Sequence, residues 1–323
     1  MPTVTKRSPR IRFEFVAAQK QSTPGGLPAL EALAQQFDLW QKIRALPGLD
    51  PRTRTSHGYS PELIVAQLIY SFCSGGASLA DAERLNDEPL VRQLARVKKF
   101  ADQTQLGQWL RQQSDTSIAA LWNLNAQFVQ WVIDRADPAR WTYAGRAEAF
   151  FDETQIEVFG PSFEGAKINY EGQLALCWQT FWFGPFLVGG ELGSPGDVSR
   201  ALPAMLQTLR PLWRDRACDF LADSGSSSAE PLQAIEQAGF THWSVSYNQW
   251  TTGPERTAAA LPRSAWSPAT QRRWRDGVEV TGQYAGIRHT VAGSDFTFPL
   301  AVARWKKDDE MFWRYAFVAH DPR

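Results

Sequence analysis

Residues 147–159 read AEAFFDETQIEVF, an apolar stretch that carries Asp152 near its middle. Its aromatic and β-branched residues favour a strand, and Gly160-Pro161 marks where the strand ends. A carboxylate inside such a strand is costly to bury unless a cation compensates it, and a bound divalent metal is the usual compensation. The alternative is an aspartate that is salt-bridged or lies at a strand end. Asp152 is therefore the first candidate metal ligand.

The segments that follow continue the pattern of an α/β protein. Two apolar runs, 173–181 and 186–190, flank a predicted hairpin turn at 182–185. Next come a predicted helix over 198–209, a short strand over 219–222, a helix ending at Gly239 and a strand over 243–247. The order β-β-β-α-β-α-β is typical of an RNase H-like core. We therefore predict an α/β fold built on an RNase H-like mixed sheet.

Asp223 is the second candidate metal ligand. It directly follows the short apolar strand 219–222 and precedes a turn and a helix. Ligand-binding residues collect at the carboxyl ends of strands in α/β sheets. Taken singly, Asp223-Ser224-Gly225 is also an ordinary turn and helix-cap sequence. Two aspartates on neighbouring central strands are a more specific signal than either one alone.

The chain before this region has helical periodicity. Apolar residues recur at helical spacing from Leu27 onward, and residues 27–136 read as an all-helical domain. Ser78 and Thr104 are predicted N-caps of two of its helices. Residues 1–22 have little apolar periodicity and are expected to form an arm. We assign 1–145 to an arm and a helical DNA-binding or dimerisation domain.

Beyond Gln249 the sequence becomes rich in Trp, Thr and Arg and alternates in polarity. Strands are predicted near 278–284, 296–305 and 312–319. The predicted organisation is therefore 1–145, then 146–248 as the first part of the RNase H-like core, then 249–323 as a β-rich insertion.

Four blocks of sequence, in this order, are similar to one family. They resemble bacterial insertion-sequence transposases of the DDE class, in the branch whose RNase H-like core is interrupted by a β-strand insertion before the catalytic Glu. The resemblance covers essentially the whole chain, and it rests on the order of the blocks more than on any one of them. The blocks are Gly58-Tyr59-Ser60-Pro61, the segment 75–87, Asp152-Glu153-Thr154 and Ala222-Asp223-Ser224-Gly225.

The resemblance implies that Asp152 and Asp223 are catalytic and bind metal. Cleavage and joining of phosphodiesters are in-line displacements, for which two Mg²⁺ ions activate the attacking oxygen and stabilise the leaving oxygen. Such hard cations prefer carboxylate oxygens and water, and Mn²⁺ is an expected substitute. The implied partners are double-stranded DNA, as element terminal repeats and target, and a second copy of the chain in a homodimer assembled on DNA.

The sequence departs from the family pattern at two places. Relatives often have Asp-x-Asp-x-Thr at the first site, whereas Phe150 stands at the position of the leading Asp. Relatives also carry the third carboxylate on a helix after the insertion, and this sequence ends at Arg323, where that helix is expected to begin. The acidic run Asp308-Asp309-Glu310 is interpreted as a charged hairpin turn rather than as a replacement.

Cations alternate with aromatic residues in the predicted insertion. Arg272, Arg273, Arg275, Lys306 and Lys307 are candidates for contacts with DNA phosphates, beside aromatic rings that can stack on unpaired bases. The alternative is that alternating tryptophans in strands belong to a core.

Composition and net charge restrict the classes of function that are possible. Lys+Arg and Asp+Glu are equal at 34 each, so net charge gives no signal for a polyanionic partner, although residues 1–57 are locally cationic. Three widely spaced cysteines form no disulfide framework, which favours a cytoplasmic location. The four histidines lack zinc-ligand spacing, and no segment predicts a membrane span.

Three functions remain open at this point. The first is a DNA transposase that cleaves and joins DNA at element ends. The second is a catalytically incomplete remnant that binds DNA only, and the third is an unrelated metal-dependent nuclease. Since the third carboxylate is expected beyond Arg323, we expect no Mg²⁺-dependent cleavage by residues 1–323 alone. Whether this chain is itself an enzyme is left undecided by the sequence.

Overall fold

A computed structural model describes residues 25–54, 58–160, 162–247, 252–273, 279–291, 293–307 and 310–321. The chain divides into two compact units, residues 1–131 and 132–323. The division falls inside a helix, whereas the sequence places the first domain boundary at 145. The predicted N-terminal arm, residues 1–22, lies outside the described residues.

The first unit is helical in its described part. Its core is formed by aliphatic and aromatic side chains, among them Ile64 and Leu106, which are almost fully buried. The buried carboxylate of Glu31 accepts hydrogen bonds from the side chains of Gln35, Trp40 and Tyr70, which satisfies it without a cation. The helices are α1 (Leu27–Gln36), α2 (Leu39–Arg44), α3 (Pro61–Cys73), α4 (Leu79–Arg84), α5 (Pro89–Leu94), α6 (Gln103–Arg111) and α7 (Asp115–Ile133).

One of the two predicted N-caps is correct. Ser78 caps α4, and its side chain and that of Asp81 form a reciprocal capping box. The prediction for Thr104 is wrong, because Asp102 caps α6 and pairs with Gln105 in a second capping box. An aspartate carboxylate two residues earlier satisfies the free backbone N–H of Gln105, so the helix begins at Gln103.

The second unit contains a mixed sheet and three longer helices. Its strands carry the apolar runs found in the sequence, with small shifts at their ends. The helices are α8 (Val198–Leu209), α9 (Ala229–Gln237) and α10 (Thr252–Ala259). The strands are β1 (Ala147–Glu157), β2 (Lys167–Ile168), β3 (Leu174–Phe183), β4 (Phe186–Gly193), β5 (Cys218–Ala222), β6 (His242–Tyr247), β7 (Thr270–Arg273), β8 (Glu279–Thr290), β9 (Thr297–Lys307) and β10 (Arg314–His320).

All ten strands join in one sheet of order β2-β3-β1-β5-β6-β10-β9-β8-β7, with β4 paired to β3. Strands β1, β3 and β4 are antiparallel neighbours, while β5 pairs parallel to β1 and β6 parallel to β5. Strand β10 then pairs antiparallel to β6 and leads into the β9, β8 and β7 meander. The predicted α/β class with a mixed sheet is confirmed, and the strands after 249 extend the same sheet.

An aromatic layer holds one face of this sheet. Phe181 on β3 and Phe220 on β5 are fully buried, and their rings contact each other and the rings of Trp213 and Phe240. Offset stacking of buried rings adds to the stabilisation from burial alone. This layer keeps β1, β3 and β5 in register below the strand ends that carry the candidate residues.

The structure contains elements that the sequence did not predict. Helices α2, α5 and α10 have 6, 6 and 8 residues, and strands β2 and β7 have 2 and 4. Elements this short give no periodic signal in the sequence. Strand β3 runs on to Phe183, so the hairpin turn is confined to Gly184-Pro185. In the described part of the chain, none of the helices combines the length and apolarity that a membrane span requires.

The aromatic layer gives a direct test of the fold. Phe220→Ala should lower the free energy of unfolding by about 3 to 5 kcal/mol, because it opens a cavity among buried rings. Leu221→Ala, at the next residue, changes a side chain that is 38% exposed and should cost about 1 kcal/mol or less. Urea denaturation measures both, and equal losses would contradict the assigned facing of β5.

Candidate functional site

The two candidate aspartates lie at the same edge of the sheet. Phe151 on β1 is the register partner of Ala222 on β5 in a parallel pair. Asp152 and Asp223 are the next residue along each strand, and Asp223 keeps an extended backbone. The pairing therefore brings together two residues that are separated by 71 positions in the sequence.

Different rules place the two side chains. Side chains alternate along a strand, so Asp152 leaves the sheet with Phe150, on the face opposite Glu153. Asp223 lies one residue beyond β5, and its carboxylate turns towards the backbone of Gly225, near Glu153. Both aspartates are exposed to solvent.

The backbone after β5 fixes the position of Asp223. Its carboxylate accepts a hydrogen bond of 3.0 Å from the backbone N–H of Gly225 and caps the 3₁₀ helix Ser224–Ser226. Partial burial raises the pKa of the Asp223 carboxyl, and the negative charges of Asp152 and Glu153 raise it further, while the bond from Gly225 lowers it. The carboxylates are thus close enough to repel each other.

Glu153 joins this group, although the sequence analysis did not select it as a ligand. Its Oε1 accepts a hydrogen bond of 3.2 Å from the backbone N–H of Gly196, in the loop before α8. Burial and then a hydrogen bond to Glu153 raise the pKa of the Cys177 thiol. The only sequence signal was the adjacency of two acidic residues, because the contact to Gly196 spans 43 positions.

The charges at this edge are consistent with a cation site. Among the described residues, none of the carboxylates of Asp152, Glu153 and Asp223 forms a salt bridge, whereas Asp219 at the start of β5 is paired with Arg146. Two exposed carboxylates that lie beside each other on neighbouring strands are a suitable donor set for Mg²⁺ or Mn²⁺. The donors fit such a metal. No group of three or more His, Cys, Asp or Glu side chains with metal-binding geometry exists within the described part.

Glu310, the described residue of the acidic run before β10, belongs to the turn between β9 and β10. Glu310 accepts hydrogen bonds from the Arg314 guanidinium and from the backbone N–H of Lys307, at the end of β9. These bonds hold the carboxylate within the hairpin. Asp308 and Asp309 lie outside the described residues.

The predicted DNA-contacting cations are placed only in part. Arg272 and Arg273 lie on β7, opposite Val280 and Glu279, and Arg275 lies outside the described residues. Lys307 is half-buried at the end of β9, and the Lys306 ammonium lies 5.5 Å from the ring centre of Trp313.

Arg304 occupies the centre of the neighbouring aromatic cluster. Its guanidinium lies 3.8 Å from the ring centre of Trp266 and 4.5 Å from that of Trp313, and it donates a hydrogen bond of 2.6 Å to Gln283. Such contacts stabilise a cation on aromatic faces. Arg304 therefore organises this part of the sheet, while Lys306 lies at its margin.

Comparisons with known proteins give little independent information. No protein-family model matches the chain, and no curated protein matches it in sequence. A solved structure titled "Crystal structure of the Mos1 Strand Transfer Complex" is similar at 13% identity and a TM-score of 0.20, over 71% of this chain and 67% of that chain. A TM-score this low does not establish a shared fold, so neither fold nor function is inferred from the likeness.

Asp223→Asn tests the cost of ionising Asp223 in the folded protein, which comes first from partial burial and then from the neighbouring carboxylates. Folding raises the pKa of Asp223, so the folded protein binds this proton more tightly than the unfolded chain, and ionised Asp223 lowers stability above the folded pKa. Asparagine removes the charge and keeps an acceptor for the Gly225 N–H. Without metal at pH 7 the variant should be more stable by about 0.5 kcal/mol, since solvent screens an exposed carboxylate.

The pH dependence of this gain provides the control. The difference between variant and wild type should vanish as the pH falls through the folded pKa towards the ordinary aspartate value of about 3.9. Urea denaturation in EDTA between pH 4 and 8 measures it. A variant that is less stable at pH 7, or a difference that does not change with pH, would show that ionised Asp223 does not destabilise the folded protein.

Proposed function

We propose that the chain is a DNA transposase of the DDE class, in which Asp152 and Asp223 are the first two metal-binding carboxylates. The observation that supports this most strongly is the parallel pairing of β1 with β5, which places both carboxylates at one sheet edge. Neither carboxylate is neutralised by a salt bridge from a described residue. The sequence resemblance selects the same two residues.

The strand order supports an RNase H-like core as part of this proposal. Three antiparallel strands, β1, β3 and β4, are followed by β5 and β6, which continue the sheet parallel to β1. The helices α8 and α9 connect β4 to β5 and β5 to β6. Strands β7 to β10 then correspond to the β-rich insertion of the proposed family.

The chemistry follows from the donor set. Bound divalent cations would activate an attacking oxygen and stabilise the leaving oxygen of a phosphodiester. The protein would hold these cations through Asp152 on β1 and Asp223 just after β5. The Gly225 N–H orients the Asp223 carboxylate for this role. Mg²⁺ is the proposed cofactor, with Mn²⁺ as a substitute.

DNA is the proposed partner, as terminal repeats and target, bound by a homodimer. Support for DNA contact comes from the margin of the aromatic cluster around Arg304, where Lys306 and Arg304 accompany the half-buried Trp313 just before β10. Cations beside partly exposed aromatic rings suit phosphates and unpaired bases.

A protein that binds DNA without cutting it is the second candidate. It is favoured by the lack, within the described residues, of a group of three side chains able to hold a metal. Incubation of supercoiled plasmid with the protein and Mn²⁺ separates the two candidates. Nicking that Asp152→Ala abolishes identifies the enzyme, and DNA binding without nicking identifies the binding protein.

Metal binding by the aspartates should stabilise the fold. At a tenfold excess of Mn²⁺ over its Kd, the wild type should gain about 1.4 kcal/mol, or about 3 °C in Tm for a unit of this size. Asp152→Asn and Asp223→Asn should lose this gain. Glu157→Gln is the matched control, because it removes an exposed carboxylate about 16 Å further along β1. If the control loses the gain as well, or neither aspartate variant does, the proposed site is wrong.

The DNA contact predicts a change in salt dependence. Lys306→Ala should weaken binding to double-stranded DNA at all sequences and reduce the slope of log K against log salt by about 1. Lys167→Ala, on the exposed strand β2, is the control and should leave the slope unchanged. Fluorescence anisotropy between 50 and 200 mM NaCl measures both. Equal slopes for wild type and Lys306→Ala would exclude Lys306 as a phosphate contact.

A further inference from the structure

Two carboxylates, one on β1 and one just after β5, flank the space above the exposed Gly225. A methyl group on Gly225 would lie 3.1 Å from Asp223 Oδ1 and 3.5 Å from Glu153 Oε2. Both oxygens therefore converge on one small volume that only glycine leaves open.

The two oxygens of Glu153 have different surroundings. Oε1 accepts the hydrogen bond from the Gly196 N–H, which fixes the carboxylate. Oε2 is the oxygen that approaches Gly225. Glu153 thus presents an oriented oxygen to the same space as Asp223.

A buried amide beside Glu153 lacks partners. Gln179 on β3 is the register partner of Glu153 on β1, so the two side chains leave the sheet side by side on one face. Gln179 is fully buried, yet neither its amide oxygen nor its amide nitrogen has a hydrogen-bond partner among the described residues. The Ser226 hydroxyl, one residue after Gly225, is also fully buried and without a partner there. Buried polar atoms of this kind indicate an ordered water or ion that completes their bonding.

We propose that Glu153 is a further cation ligand, which holds a divalent metal together with Asp223 in the space above Gly225. Gln179 and Ser226 then bind the water molecules of that metal or supply an additional oxygen. Divalent cations such as Mg²⁺ and Mn²⁺ accept this combination of carboxylates, side-chain oxygens and retained water. The inference rests on the proposed function, since Asp223 is shared with the pair formed by Asp152, but it assigns a ligand outside that pair.

Two variants test whether Glu153 binds the metal directly or only adds a negative charge nearby. Glu153→Gln removes the charge and keeps an acceptor for the Gly196 N–H. Gly225→Ala keeps all three carboxylates and fills the space between Asp223 and Glu153. Gly225 has no positive φ that alanine would strain. Ser224→Ala, an exposed change in the same turn, is the control.

Mn²⁺ titration of the full chain, followed by calorimetry, tests the proposal. Glu153→Gln and Gly225→Ala should each weaken Mn²⁺ binding about tenfold, as expected for loss of one ligand (about 1.4 kcal/mol), and Ser224→Ala should not. Thermal melts in EDTA establish that each variant is folded. If Gly225→Ala fails this check, Ser226→Ala replaces it, and a loss of affinity of about threefold is expected.

The other outcomes distinguish a failure of the Glu153 proposal from a failure of the proposed function. Weakening by Glu153→Gln but not by the space-filling variant would mean that Glu153 acts through its charge alone, which overturns the proposal. Normal affinity in Glu153→Gln together with weak binding in Asp152→Asn also overturns it and leaves the proposed function standing. Weak binding in Glu153→Gln with normal affinity in Asp152→Asn supports the proposal and removes Asp152 from the metal site. A wild type that binds no Mn²⁺ refutes both.

Discussion

The parallel pairing of β1 with β5 is the constraint on which the rest of the second unit depends. It aligns Phe151 with Ala222, and the next residue on each strand is an aspartate. The buried rings of Phe181, Phe220 and Trp213 hold these strands from one face, so the alignment is maintained by packing rather than by the acidic residues themselves. A shift of one residue would turn the buried face of β5 outward and move Asp223 out of line with Asp152.

The site itself carries an electrostatic cost that no salt bridge from the described residues offsets. Arg146 neutralises Asp219 at the far end of β5, but the carboxylates of Asp152 and Asp223 repel each other, and this repulsion contributes to the raised pKa of Asp223. Perturbed carboxyl pKa values cluster at functional sites. A bound cation would convert the repulsion into attraction. The same reasoning extends to Glu153, whose oriented oxygen faces the same space as Asp223.

Sequence reasoning succeeded where the signal was local. The strand around Asp152 and the turn at Asp223 are bounded by glycine and proline and have clear apolar runs, so their positions were predictable. It failed where partners are distant: Glu153 is oriented by Gly196, and Arg304 is held between Trp266 and Trp313, contacts that no local pattern contains. The cap of α6 was misplaced because Thr104 and Asp102 both suit that role, and only the structure shows which one bonds.

Crystals grown with Mn²⁺ would locate the cation by its anomalous scattering. The arrangement of strands predicts density between the carboxylates of Asp152 and Asp223, where β5 ends beside the middle of β1. If the anomalous peaks lie elsewhere while these two carboxylates contact only water or a basic side chain, the sheet edge is not a metal site and the phosphodiester chemistry proposed for it is wrong.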